Sequence, residues 1–131
     1  MQTISFKREL QGELEDVVEK VTAVIKPAGF GVLTRIDFDQ KIKEKLGETV
    51  PKTVVLGVCN PQLAYEAYKK TTDVTLFIPC NIVVREIAKN KIVVEAIRPS
   101  AMLQMLPQIG FTETIAQAEK NLANAIDSLV G

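Results

Sequence analysis

The stretch Thr53 to Pro61, TVVLGVCNP, decides the fold. Thr53 to Cys59 is an almost unbroken apolar run, the pattern of a strand buried on both faces. Asn60 and Pro61 then end it. Asparagine accepts bonds from the first free amides of a helix, and proline suits the first helical position. A helix is therefore expected from here to about Lys70, with Leu63, Ala64, Ala67 and Tyr68 facing the core. A strand feeding directly into a helix places the chain among folds that mix the two.

Towards the N-terminus, a loop through Pro51 leads back to a helix closed by Gly47. Phe38, Ile42 and Leu46 line one side of it, and Asp37 with Gln40 has the form of a capping box. Before it, FGVLTRI (Phe30 to Ile36) reads as a strand. From Glu13 to about Lys26 the period changes to that of a helix, with Leu14, Val17, Val18, Val21, Val24 and Ile25 as its apolar stripe. Pro27 and Gly29 stop it. TISFKR, Thr3 to Arg8, alternates like a strand with one wet face.

Towards the C-terminus, VTLFI (Val74 to Ile78) reads as a strand interrupted by Pro79 and resumed as NIVVREI. AKNK is a turn, and KIVVEAI (Lys91 to Ile97) returns as the second arm of a β-hairpin. Pro99 to Leu106 is a short helix or turn. Thr114 with Gln117 is expected to cap the last helix, whose stripe is Ile115, Ala118, Leu122, Ala125, Ile126 and Leu129.

The order is βαβαβαββα. The expected fold is a two-layer α+β domain over residues 1–131, with a mixed sheet of about five strands and helices mainly on one face. Helices between the early strands predict parallel crossovers. The late hairpin adds an antiparallel pair.

A chain of 131 residues buries roughly two thirds of its unfolded surface, enough for a core without staples. Its 16 basic and 16 acidic residues cancel. No overall field draws in nucleic acid or an anionic membrane. No apolar run reaches membrane-spanning length, and the N-terminus lacks a secretory apolar region. A cytoplasmic protein with reduced thiols is expected. Histidine is absent, which removes Ser-His-Asp and Cys-His catalysis and any zinc site that needs imidazole.

The two cysteines are each followed by asparagine, as Cys59-Asn60 and Cys80-Asn81. Pro79 predicts a bulge or an edge at the second pair. If the strands ending at Cys59 and Ile78 run parallel and adjacent, both pairs emerge at one end of the sheet, where open α/β sheets place ligands. Four readings compete. The thiols are small buried apolar groups, with Asn60 a cap and Asn81 satisfying a bulge. Alternatively they border a ligand pocket, in which Asn60 and Asn81 supply amides beside Arg85 and Glu86. As a metal site, Cys59 and Cys80 would hold zinc or another soft transition metal such as copper. Two thiolates are too few, so a homodimer or a carboxylate must complete the set. The fourth reading is redox use of the pair, although the spacing is not Cys-x-x-Cys.

Gly29-Phe30-Gly31 begins like a phosphate loop but lacks the third glycine, so it reads as a tight helix-to-strand turn. Glu66 and Glu86 read as solvated carboxylates, since neither has a local cause for a shifted pKa. Met102 and Met105 read as core filling or subunit packing.

GFGVLTRIDF, KEKLG, VLGVCNPQLAYEA, IPCNIVVRE and VEAIRPSAML, in that order, resemble the domain-of-unknown-function family 302 over about Gly29 to Leu103. The resemblance implies a compact α+β fold that forms homodimers. It implies no settled activity, cofactor or catalytic residue, so no role transfers to Cys59 or Cys80. The chain carries Arg98 where the family places an acidic residue before the late proline, so no charge-based role transfers there either. The function expected is binding of a small ligand near Cys59, Asn60, Cys80 and Asn81, without strong catalysis. The alternatives are a thiol-dependent redox enzyme and a metal-binding protein with cysteine ligands shared across a homodimer.

Overall fold

The computed structural model describes residues 4–131. Five strands form one sheet: β1 (Ser5–Gln11), β2 (Gly31–Asp37), β3 (Thr53–Cys59), β4 (Cys80–Ala88) and β5 (Lys91–Ile97). Three α-helices connect strands, α1 (Leu14–Ile25), α2 (Phe38–Leu46) and α3 (Pro61–Tyr68), and α4 (Glu113–Asp127) follows β5. The expected order and the α+β class hold. Thr3, placed at the start of the first strand from sequence, lies outside the described residues.

The spatial order is β1-β5-β4-β3-β2. Every neighbouring pair is antiparallel, which corrects the expected mixed sheet. The reason lies in the connections. The segments carrying α2 and α3 each leave and re-enter the sheet at the same end, as a hairpin loop does, instead of crossing a face. Only the α1 connection carries the chain across the sheet, from one edge strand, β1, to the other, β2.

α1 and α4 pack against each other and cover one face. Val54, Leu56 and Val58 of β3 point into that layer, opposite Val84, Ile82 and Cys80 of β4. Val17, Val21 and Ile25 of α1 and Ile126 of α4 are fully buried against them. Each such side chain contributes about 1.5–3 kcal/mol relative to an exposed one. The α4 stripe read from sequence is buried at every position. α2 buries none of its residues. α3, on a connection of the same returning kind, buries Leu63 and Ala67.

Three local readings are corrected. VTLFI is not a strand: Thr72–Phe77 is a 3-10 helix whose first turn is capped by the Thr71 hydroxyl, which accepts from Asp73 N at 3.2 Å. Pro79 therefore precedes β4 instead of bulging it, and β4 is an interior strand. Thr112 caps α4, accepting from Ile115 N at 3.2 Å, while Thr114 donates to Glu66. Asp37 makes no cap bond for α2 because its carboxylate accepts from the Arg35 guanidinium instead.

Candidate functional site

Antiparallel pairing brings the two Cys-Asn pairs to the same end of the sheet by a route other than the parallel one expected. Cys59 is the last residue of β3 and Cys80 the first of β4, and Val58 lies directly opposite Cys80. α3 and the 3-10 helix Thr72–Phe77 span the short gap between them. Asn60 caps α3 as its residue type predicts, its Oδ1 accepting from Leu63 N at 3.0 Å. Its amide nitrogen presses on Gly29, where a β-carbon would stand 3.1 Å away. Gly29 also has φ +95°, a conformation that disfavours any side chain. Phe30 follows, and it borders the same small space as Cys59.

Two spaces meet at Cys80. The inner one is small, about 20 Å³, and is bordered by Phe30, Cys59, Asn60 and Leu63 among others. It has room for about one water. The outer one is an open cleft of about 410 Å³ that includes Asn81, Leu76 and Arg98. Phe77, Ile78, Cys80, Pro99 and Met102 border both. Cys59 and Asn60 thus belong to the inner space, Asn81 to the outer cleft, and Cys80 to both. The second wall, Pro99 to Met102, is part of a 3-10 helix (Pro99–Gln104) that follows β5. Sequence reading took these residues as core or turn. Their signal was the placing of a proline and a methionine directly after the hairpin arm whose partner begins at Cys80.

Both thiols are free. Burial pushes the Cys59 pKa up. Burial, and then the charge of Cys59, push the Cys80 pKa up. Neutral thiols are poor nucleophiles and poor metal ligands near neutral pH.

Arg85 and Glu86 are not brought to this end. Arg85 pairs with Thr53, at the start of β3, roughly 16 Å along the strand from Cys80 at about 3.3 Å per residue. Glu86 borders a separate polar hollow of about 720 Å³ with Arg35, Asp37, Asp39 and Lys52. There Arg35 donates to Glu15 Oε2 at 3.0 Å and to Asp37 Oδ1 at 3.0 Å, and the guanidinium holds the Glu15 carboxyl below its ordinary range. Glu66 differs from its sequence reading. Hydrogen bonds from Thr114 and Thr112 lower its pKa, and Lys70 and Lys69 assist. Among the described residues, no three Cys, Asp or Glu side chains gather as a metal would require. No helix among them is long and apolar enough to cross a membrane.

A family model described as Domain of unknown function DUF302 matches residues 6–129. A crystal structure of an uncharacterized conserved protein DUF302 from Bacillus stearothermophilus is similar, with a TM-score of 0.83 and 26% identity, over 96% of this chain and 98% of that one. No curated protein matches the chain.

Proposed function

We propose, given that this chain belongs to the DUF302 family and that the family's description names no activity, that it binds a small, largely apolar molecule in the cleft beside Cys80. The observation that carries this reading is the junction at Cys80, where an open cleft of about 410 Å³ adjoins a small apolar space. Its volume falls in the range of small-molecule sites, and its lining combines many apolar groups with few polar ones. The raised thiol pKa values favour binding over thiol catalysis. Cys80 then serves as a small soft wall and Asn81 as an orienting amide at the mouth.

The test is a titration with 1-octanol followed by amide chemical shifts. Saturable changes confined to Cys80, Asn81, Met102 and their neighbours are expected. An Ala101→Phe variant, which adds bulk to the cleft lining, should lose them. Absence of saturation, or changes spread evenly over the sheet, rejects the reading.

A second reading, that the protein is a homodimer, rests on a separate surface. β2 is an edge strand. Leu33 on it is 61% exposed and Leu46 on the adjoining α2 is 68% exposed. Ile36 and Phe38, at the end of β2 and the start of α2, are 47% and 43% exposed. A two-fold pairing of this edge would hide its unpaired backbone groups and these side chains together. Sedimentation equilibrium should give about twice the 14.4 kDa chain mass, and a Leu33→Asp Ile36→Asp variant should give the chain mass. A monomer at micromolar concentration rejects it.

A further inference from the structure

Arg98 stands at the wall of the cleft with an unusual set of neighbours. Among the described residues it is one of two polar side chains on that lining, Asn81 being the other, and the lining's one cation. Its guanidinium carbon lies 4.6 Å from the centre of the Phe6 ring, so the aromatic face holds the planar group in place. Its Nε is buried, and among the described residues it has no hydrogen-bond partner. Glu119 Oε2 is 4.0 Å from Nη1, too far for a hydrogen bond. Glu119 is instead held through Oε1, which accepts from Ser100 N at 3.0 Å and from the Ser100 hydroxyl. The Arg98 side chain nevertheless stays 35% exposed.

A cation beside apolar walls, held by stacking and lacking a hydrogen-bonded counter-ion, is set to receive an anionic group. We propose that the cleft takes an amphipathic monocarboxylate, its carboxylate on the Arg98 guanidinium and its apolar chain against Leu76, Phe77, Ile78 and Met102. The guanidinium fork matches a carboxylate with two parallel bonds. The charge balance selects a monoanion. Glu119 already offsets part of the single positive charge, so a dianionic phosphate would be left undercompensated in an apolar site. This proposal rests on the cleft being a binding site, and adds the class of ligand.

The experiment compares octanoate, 1-octanol and octyl phosphate by calorimetry on the full chain at one ionic strength. Octanoate is expected to bind at least tenfold more tightly than octanol. Arg98→Gln should erase that difference while leaving octanol binding intact. Arg98→Lys, which keeps charge but loses the fork, should retain part of it and covers the case in which the glutamine variant does not fold. Glu119→Gln should tighten octanoate and leave octanol unchanged. Equal affinity of octanoate and octanol for the native chain overturns the carboxylate assignment alone. Octyl phosphate binding more tightly than octanoate overturns it in favour of a dianion. If none of the three binds, the cleft reading falls as well.

Discussion

Pro79 lies flat against Gly57: a β-carbon on Gly57 would come 2.6 Å from the proline Cγ and would also strike the Thr34 hydroxyl. Gly57 thus interrupts the apolar run of β3 because the segment entering β4 crosses its outer face at that point. Gly57→Ala forces a backbone shift beside Cys80 and should cost about 1–3 kcal/mol, the range for overpacking. Gly31→Ala, where nothing lies within 4 Å of the added carbon, is the control and should change stability little. Urea unfolding of the two variants checks this. Equal midpoints would contradict the close approach.

The caps give a second measurement. Thr112→Ala should lose about 1 kcal/mol, the usual value of an N-cap hydroxyl, because Thr112 bonds the free Ile115 amide. Asn60→Ala should lose a similar amount by releasing Leu63 N. Asn60→Asp keeps the acceptor and should recover most of it. If Asn60→Asp is as unstable as Asn60→Ala, the amide's contact with Gly29 matters more than the cap.

Much of this architecture is legible in the residues. Thr53–Cys59 is a strand over the limits read from its apolar run, and Asn60-Pro61 starts a helix for the reasons their side chains give. Pairing direction is not legible, because a helix between two strands looks alike whether it crosses a face or returns to its own end. The one local hint was α2, whose many lysines leave a narrow apolar stripe, consistent with a helix that covers nothing. VTLFI misled because Thr75 and the threonines just before it form local bonds. Thr71 accepts from Asp73 N, and Thr75 donates to Thr72 O at 2.8 Å. Such bonds compete with a sheet ladder. The meeting of the Cys-Asn pairs was anticipated, but Arg98 was not. It reaches the cleft only because the end of β5 lies beside the start of β4, with Ile82 opposite Ala96.

Acid sensitivity follows from Glu66 and Glu15. Both carboxyls have folded-state pKa values below the ordinary one, Glu66 chiefly through Thr114 and Glu15 chiefly through Arg35. Their stabilisation is therefore complete above the unfolded carboxylate pKa, about 4.3, and is lost as pH falls through the folded values. Glu66→Gln should flatten the stability profile in that acid window and leave the slope above about pH 6 unchanged. Thr114→Val should raise the Glu66 pKa, read from its carboxyl carbon shift. An unchanged titration would show that Thr114 does not hold the carboxylate.

The thiols give the opposite sign at the alkaline side. Burial raises both folded-state pKa values, and the charge of Cys59 adds to the shift of Cys80. The neutral thiols therefore contribute stability that is fully present below the unfolded thiol pKa, about 8.5. It is lost as pH rises through the folded values. Alkylation by iodoacetamide should show midpoints above the ordinary value for both residues, since only the thiolate attacks. Cys59→Ser should move the Cys80 midpoint down, because one cause is removed, but not to the ordinary value, because burial remains. A Cys80 midpoint indifferent to Cys59 would mean the two sulfurs do not sense each other. A midpoint below the ordinary value at Cys59 would restore the thiol-enzyme alternative, since the end of β3 would then be stabilising a thiolate that burial opposes.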